Sequence, residues 1–300
     1  MGNGLSIGFV GFGEAAYNIA RGLRRSAIAQ IAAYDINTHT PGMGDRIQQH
    51  ARETGTLLVE TNEDLARCSE IILSTVTANQ AAAAAQQNAP YLTARHLYAD
   101  LNSVSPGLKQ SLERTIAATG ARFVEIAVMA PVPPHGHRVP MLAGGKAASE
   151  FAELLAPLGF SIEVVSNEVG TAAATKMFRS IIVKGLEALL TECVLGASRY
   201  GAEERVFASL TQSFPQIDWK DLADYMVGRV VVHGERRARE MEEVAETLRS
   251  IGIEPIMADA IVKRMDWSAK LGLKSRFGGE APKGYRDVVD AVAKMPAAAD

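Results

Sequence analysis

A single lysine follows a run of very small side chains in the segment VGTAAATKMFRS, residues 169–180. Gly170 and the alanines at 172–174 leave room for a ligand to lie against the helix that this segment predicts. An ammonium group with no acidic neighbour in sequence can be desolvated, which lowers the pKa of an amine. Neutral Lys176 could then take the proton of a substrate hydroxyl, and charged Lys176 could return it. The alternative is an exposed lysine on an amphipathic helix.

The segment IGFVGFGEAA has the spacing of a dinucleotide-binding turn, because Gly11, Gly13 and Ala16 follow the order G-x-G-x-x-A between a predicted strand and a predicted helix. The first glycine allows the tight turn and the second allows the pyrophosphate to approach the backbone. The helix N-terminus attracts the phosphates. The alternative is a turn that serves only chain reversal. The cofactor-binding residues predicted here are Gly11, Phe12, Gly13, Glu14 and Ala15.

Asp35 ends the next predicted strand, IAAYD, where a carboxylate can accept hydrogen bonds from the adenosine ribose. It would repel a 2′-phosphate, and no arginine follows in DINTHT, so we predict NAD as the cofactor, with NADP as the alternative. Val76 and Thr77 close the fourth strand, on the nicotinamide side. Asn102 and Ser103 close the fifth strand, where ligands bind in open parallel sheets. Capping of the next helix is the alternative for that pair.

The elements that must position these residues change in kind along the chain. The first half alternates apolar strand candidates with helices, including a helix from Glu14 to Arg25 and one opening at Ser105-Pro106. Such alternation indicates a parallel sheet covered on both faces. After residue 166 only helical patterns follow, at 168–198, 202–212, 218–231, 233–250, 255–272 and 284–294, with a loop at 275–287.

The predicted fold class is α/β, with an N-terminal Rossmann-type, doubly wound and mostly parallel sheet followed by an all-α C-terminal domain. The predicted domains are 1–166, which binds the dinucleotide, and 167–300, which serves substrate binding and dimerisation.

Composition narrows the function classes. The chain has 300 residues and a formal net charge of -3, without a basic block, so nucleic-acid binding is not expected. The most apolar helix is interrupted by Lys184, Glu187 and Glu192, so no membrane span is expected. Two cysteines far apart in sequence, Cys68 and Cys193, indicate free thiols and a cytoplasmic location.

Four segments carry a resemblance to a known family: GFVGFGEAA, EIAVMAPVPPHGHRVPMLAGG, GTAAATKMFRS and HGERRAREMEEVAETLRSIG. With these segments the chain resembles the β-hydroxyacid dehydrogenase family, which includes 3-hydroxyisobutyrate and 6-phosphogluconate dehydrogenases. The resemblance is to the phosphogluconate dehydrogenase-like branch whose C-terminal domain has no assigned function. It implies NAD(P)-dependent hydride transfer on a hydroxyacid or related secondary alcohol, with Lys176 as the catalytic lysine and a homodimer built on the helical half.

Two departures from the family concern the substrate. Ser180 replaces the usual asparagine four residues after Lys176, although it can still donate a hydrogen bond, and Lys184 follows one turn further on the same helix face. Met129 replaces a substrate-binding serine, which makes that wall apolar and adaptable. We therefore predict Ser180 as a catalytic residue, Ser103, Met129 and Lys184 as substrate contacts, and a bulkier or less polar substrate than the standard small hydroxyacids.

The segment HGERRAREMEEVAETLRS predicts a buried stripe of Ala238, Met241, Ala245 and Leu248. His233 and Arg237 border this stripe. They either belong to a solvated charged face or hold an anionic group of a small-molecule substrate.

Three further interpretations remain open. The chain could be an oxidative decarboxylase of 6-phosphogluconate type, an imine reductase, or a non-catalytic dinucleotide-binding scaffold, although imine reductases usually lack a lysine like Lys176. His135 and His137 stand as H-x-H in a proline-rich segment without a third ligand in sequence, so no metal site is predicted; a rigid loop at the solvent edge is the better interpretation.

Overall fold

The computed structural model describes residues 4–24 and 28–295. The chain divides into two compact units, Met1–Lys176 and Met177–Asp300. The predicted boundary at residue 166 coincides with the last strand, whereas the division falls inside the helix that follows it. Each unit is described separately below.

The first unit is built on one sheet whose strand order is β3-β2-β1-β4-β5-β6-β7-β8. Every neighbouring pair is parallel except β6 and β7, which are antiparallel. The mostly parallel, doubly wound sheet predicted from the sequence is therefore confirmed. The strands in the described residues are β1 Leu5–Val10, β2 Ile28–Tyr34, β3 Leu57–Leu58, β4 Ile71–Ser74, β5 Leu97–Asp100, β6 Arg122–Val128, β7 Pro140–Gly144 and β8 Ser161–Ser166.

Alternate strand residues enter two different cores, which is why the strands read as continuous apolar runs. Phe9 and Leu73 belong to the core on one face of the sheet, and Val10 and Ile72 belong to the core on the other. Helices cover both faces: α1 Glu14–Leu23, α2 Met43–Thr54, α3 Asn62–Cys68, α4 Ala81–Asn88, α5 Pro106–Ala117, α6 Val132–His135 and α7 Ala148–Leu155.

Local sequence signals place two of these helices. Ser105 caps α5 by accepting a hydrogen bond from the Leu108 amide at 3.3 Å, as its Ser-Pro start predicted. Helix α1 begins at Glu14 as predicted, and Arg25, its predicted end, lies outside the described residues.

The second unit is helical throughout its described elements. Helix α8 Thr171–Ser198 begins in the first unit and continues into the second. The remaining helices are α9 Glu203–Ser213, α10 Trp219–Ser250, α11 Ile256–Lys270, α12 Leu273–Arg276 and α13 Tyr285–Ala293. The predicted buried stripe of α10 is confirmed, because its four residues lie in one apolar core with α11.

One predicted helix break is wrong. The segments 218–231 and 233–250 form a single helix, α10, that runs through Gly234. This glycine allows a close approach, since a Cβ atom there would lie 2.9 Å from the Met265 carbonyl oxygen of α11. The predicted loop at 275–287 contains the end of the short helix α12 and the start of α13.

Candidate active site

The dinucleotide-binding turn opens on a cavity of about 610 Å³ at the carboxyl ends of β1, β2 and β4. This is the edge of a parallel sheet at which ligands bind. Of the cofactor residues predicted from the sequence, seven line the cavity: Gly11, Phe12, Gly13, Glu14, Asp35, Val76 and Thr77. Ala15 and Asn102 do not line it.

The two glycines of the turn are required for different physical reasons. Gly11 has a φ of 83°, and a Cβ atom there would lie 2.9 Å from Val76 Cγ1. Gly13 is exposed and precedes α1, and a Cβ atom there would meet no protein atom within 4 Å. The space in front of the α1 N-terminus is therefore open, which fits the pyrophosphate of a bound dinucleotide.

Asp35 joins the end of β2 to the glycine turn. Its carboxylate accepts hydrogen bonds from the Phe12 amide at 2.7 Å and the Asn37 amide at 2.8 Å. Each carboxylate oxygen has two lone pairs, so capacity remains for the ribose hydroxyls of a dinucleotide. The residues thus fit an adenosine ribose at this position.

Sequence reasoning missed the residues of α2 that line the cavity. Met43, Arg46, Ile47 and His50 all line it from α2, eight or more positions after Asp35. Arg46 lies beyond the segment DINTHT on which the preference for NAD was based, so it was overlooked. The available signal was the position of a basic residue in the helix directly after β2.

Lys176 lies in the first unit, beside the end of the fifth strand. Its Nζ atom donates a hydrogen bond to Ser103 Oγ at 2.7 Å. The alternative that Asn102 and Ser103 cap the following helix is wrong, because Ser105 performs that role. A residue predicted as a general acid/base and a residue predicted as a substrate contact are therefore adjacent, although 73 positions separate them.

Asn102 is buried in a polar network beneath Ser103. Its amide nitrogen donates to Ser74 Oγ at 2.9 Å and to Asp100 Oδ1 at 2.5 Å. Asp100 also accepts a hydrogen bond from the buried Lys109 ammonium at 2.6 Å. The Asn102 Oδ1 atom is buried without a described partner. This network holds Asn102 in one orientation, and the sequence offered no signal that Lys109 belongs to it.

The predicted residues in the segment after β6 lie in different environments. Met129 is partly buried and continues the β6–β7 pairing through its amide, which donates to the Pro140 carbonyl at 2.8 Å. His135 is exposed at the end of α6. His137 was expected at the solvent edge and is instead buried, packed edge-on against Phe160.

The substrate role predicted for Arg237 requires correction. Its guanidinium is 3% exposed, and it contacts both carboxylate oxygens of buried Glu187, at 2.7 and 2.5 Å. Neither a solvated charged face nor a free cation for an anionic substrate describes this pair. Burial raises the pKa of Glu187, although Arg237 and Arg229 oppose that effect, and burial lowers the pKa of Arg237.

The substrate contact predicted for Lys184 requires the same correction. Its ammonium lies 2.9 Å from Glu240 and is almost fully buried. Burial lowers the pKa of Lys184, while the hydrogen bond with Glu240 opposes the shift. Lys184 and Arg237 therefore lie in a buried ion-pair network of the helical unit, and their charges are compensated by carboxylates of α8 and α10.

His233 lines a different cavity, of about 520 Å³, together with Arg229 and Lys283. Burial lowers the pKa of His233, and the charges of Arg236, Arg237 and Arg229 lower it further. The imidazole is therefore biased toward its neutral form. Ser180 is partly buried on α8, one turn after Lys176 in sequence.

Metal-ligand clusters and membrane-spanning helices are both absent from residues 4–24 and 28–295, which the structure describes. No group of three histidine, cysteine or acidic side chains is arranged to hold a metal ion in this part of the chain. No helix within the described ranges combines the length and the apolar character needed to cross a bilayer.

The sequence, the fold and the site define a family. Residues 6–165 match the NAD-binding domain of 6-phosphogluconate dehydrogenase, and residues 197–268 match a domain of unknown function, DUF1932. The chain belongs to the 6-phosphogluconate dehydrogenase-like family of β-hydroxyacid dehydrogenases, in the branch with this C-terminal domain. The resemblance inferred from the sequence is confirmed.

Two solved structures are similar over most of their length. A conserved hypothetical protein from Sinorhizobium meliloti is 39% identical, with a TM-score of 0.85 over 97% of this chain and 96% of that one. A conserved protein of unknown function, described as structurally similar to 3-hydroxyacid dehydrogenases, is 32% identical, with a TM-score of 0.78 over 92% of this chain and 100% of that one.

A curated relative has an assigned activity. The mitochondrial 3-hydroxyisobutyrate dehydrogenase of Drosophila melanogaster is 24% identical over 217 residues, which are 71% of this chain and 64% of the relative. The chain thus has a nicotinamide-dinucleotide-binding fold of the hydroxyacid dehydrogenase type.

Proposed function

We propose that the protein is an NAD-dependent dehydrogenase that oxidises a hydroxyacid or a related secondary alcohol, with Lys176 as the general acid/base. The observation that supports this most strongly is the 2.7 Å hydrogen bond from Lys176 Nζ to Ser103 Oγ at the carboxyl end of the sheet. The free thiols Cys68 and Cys193 accord with a cytoplasmic location.

The proposed reaction breaks two bonds of the substrate. The hydroxyl proton passes to the neutral amine of Lys176, and the carbon–oxygen double bond forms as the carbon loses its hydride. Bound NAD would supply the hydride acceptor. Ser103 accepts a hydrogen bond from Lys176, so its own hydroxyl hydrogen remains available for a substrate oxygen. In the reverse direction the Lys176 ammonium returns the proton.

Preference for NAD is part of the proposal. The Asp35 carboxylate lies at the cavity and would repel a 2′-phosphate. Arg46 lines the same cavity and would attract one. We favour NAD because the Asp35 carboxylate is fixed by hydrogen bonds from two backbone amides, of Phe12 at 2.7 Å and of Asn37 at 2.8 Å, whereas Arg46 is exposed and screened by water.

A substrate panel tests the proposal. Hydroxyacids of increasing side-chain size, secondary alcohols and 6-phosphogluconate are assayed with NAD and NADP for reduced cofactor, and cyclic imines are assayed with NADH and NADPH for its oxidation. We expect turnover of a hydroxyacid with NAD, and its loss in Lys176→Ala but not in Lys146→Ala, which removes an exposed lysine of the same unit. Turnover of an imine alone, or carbon dioxide release from 6-phosphogluconate, would contradict the proposal.

A further inference from the structure

Glu125 is a buried carboxylate that the reaction described above does not use. It lies on β6, is 0% exposed, and points at the beginning of α8. Its Oε1 atom accepts hydrogen bonds from the Gly170 amide at 2.7 Å and the Ala172 amide at 2.9 Å. Its Oε2 atom accepts from the Ala173 amide at 3.3 Å. A side chain 45 or more positions earlier in the chain therefore binds the start of this helix.

A carboxylate matches the chemistry of a helix N-terminus. The first amides of a helix have no partners within the helix, and together they carry a partial positive charge. A carboxylate oxygen can accept more than one such hydrogen bond. Glu125 therefore satisfies three backbone donors at the start of α8, from Gly170, Ala172 and Ala173.

Glycines make room for the contact. A Cβ atom at Gly144 would lie 2.5 Å from Glu125 Oε1, so a larger residue there would displace the carboxylate. Gly170 has a φ of 117°, a conformation that other residues rarely adopt, and this turn directs its amide toward Glu125. The segment around the helix start is thus shaped to receive a glutamate.

Lys176 lies one helical turn after Ala172, so the same contact determines where the lysine is held. The helical hydrogen bonding that begins with the Ala174 amide donating to Gly170 at 2.8 Å makes this turn a rigid link between Glu125 and Lys176. Ser103, the partner of the lysine, is attached to β5, which pairs with β6 through Asp100 and Glu125. The two partners of the Lys176–Ser103 hydrogen bond are therefore positioned by the same two strands, β5 and β6.

We propose that Glu125 is a positioning residue: its carboxylate holds the first turn of α8, and through that turn it sets the place at which Lys176 meets Ser103. The inference rests on the proposed role of Lys176. It differs from a general contribution to stability because it predicts an effect confined to one amine.

The test measures that amine directly and needs no substrate. The purified full-length protein is labelled with trace acetic anhydride, and the labelling rate of Lys176 is compared by mass spectrometry with that of exposed Lys146 in the same sample. We expect Glu125→Gln to speed labelling of Lys176 several-fold and Glu125→Ala to speed it more, with Lys146 unchanged. The control is Glu168→Gln, which alters an exposed carboxylate beside the same helix start and should change neither rate.

Three outcomes would overturn the inference. One is an unchanged Lys176 rate in Glu125→Gln, which keeps the side-chain size and covers the case in which Glu125→Ala does not fold. Another is an equal rise at Lys146, which would indicate general loosening. The third is an equal effect of Glu168→Gln.

A kinetic cycle distinguishes this inference from the proposed function. With a substrate found by the panel, Glu125→Gln should lower kcat and leave the KM for NAD unchanged. The double variant Glu125→Gln/Lys176→Ala should then be no slower than Lys176→Ala alone, and additive losses would contradict the inference. If the panel yields no turnover, the proposed function fails while the labelling result still decides the role of Glu125.

Discussion

At the scale of single residues, the candidate site joins a lysine to the edge of a sheet. Lys176 is placed by small residues before it, and Ser103 is placed by the end of β5. In the proposed reaction this pairing would place a proton carrier next to a hydroxyl that can bind a substrate oxygen. Each partner alone has ordinary interpretations, and the 2.7 Å contact between them supports the proposed acid/base role.

Lys176→Ala should lower turnover by about 10²–10⁴, the usual contribution of general acid–base catalysis. NADH should still bind, because the change removes the proton carrier and leaves the glycine turn intact. Steady-state kinetics with fluorescence titration of NADH separates the two effects. Turnover equal to that of the native protein on a verified substrate would refute the mechanism.

Asp35→Ala should weaken NAD binding and narrow the difference in affinity between NAD and NADP. The carboxylate accepts a hydrogen bond from the Phe12 amide at 2.7 Å, so the change also loosens the turn. Arg46→Ala is the matched change of a basic residue that lines the same cavity, and it should weaken NADP binding more than NAD binding. Calorimetric titration of both cofactors against the three proteins measures this, and a native preference for NADP would show that the assignment to NAD is incorrect.

At the scale of elements, α8 and α10 are held together by charges inside the helical unit. Glu187 is fully buried between Arg237 and Arg229, and Lys184 pairs with Glu240. Removing one partner of a buried pair leaves an uncompensated charge, whereas replacing both with apolar groups costs little. We therefore expect the network to fix how the two helices align while contributing little net stabilisation.

Arg237→Met should destabilise the protein by about 3–5 kcal/mol, because Glu187 then loses its closest cation. The double variant Glu187→Met/Arg237→Met should recover much of that loss, since Arg229 is partly exposed and can be solvated. Urea denaturation followed by circular dichroism gives the free energies of unfolding.

The surface pair of Arg239 and Glu242 supplies the control for that experiment. Arg239 is exposed and its charge is screened by solvent, so Arg239→Met should change the free energy of unfolding much less than Arg237→Met does. A double variant no more stable than Arg237→Met would show that the pair contributes more than packing can replace.

The agreement between sequence and structure also differs by element. The parallel strands, the glycine turn and the cap of α5 follow local rules of periodicity and turn chemistry, and all three were predictable. The break expected between residues 231 and 233 was wrong, because α10 continues through this point. The close packing of α11 at Gly234, where a Cβ atom would lie 2.9 Å from the Met265 carbonyl oxygen, is visible only in the tertiary structure.

At the scale of the whole molecule, the relevant feature is a set of exposed apolar side chains on α8. Ile182 is 66% exposed and Leu189 is 58% exposed, and they lie seven positions apart, on one side of the helix. Exposed apolar residues at that spacing are typical of helix–helix interfaces. We propose that a second copy of the chain packs against this side of the helical unit, as the family resemblance implies.

The double variant Ile182→Glu/Leu189→Glu should therefore be monomeric at micromolar concentration while the native protein is a dimer. Buried carboxylates would oppose an apolar interface. Light scattering coupled to size exclusion gives the mass of each. Ile253→Glu, which alters an exposed apolar residue between α10 and α11, should leave the dimer intact. A native monomer would exclude the proposal.

The amino-acid sequence by itself determined the chemistry available to this protein. Gly11, Gly13 and Asp35 specify a dinucleotide site because turn geometry and charge are local properties. Lys176 stands out because the residues before it are small and no acidic residue is adjacent to it in sequence. These signals depend on residue types and on their spacing along the chain, and both can be evaluated without knowing how the chain folds.

Only the tertiary structure decided which of these groups meet. Ser103 joins Lys176 across 73 positions, Glu125 reaches the start of α8 across 45, and Arg237 pairs with Glu187 across 50. Contacts of this length depend on how strands and helices pack, and a charged side chain looks the same in sequence whether it faces water or a buried partner. Arg237 was therefore misassigned and Glu125 was overlooked, since the physical factor that distinguishes them is burial.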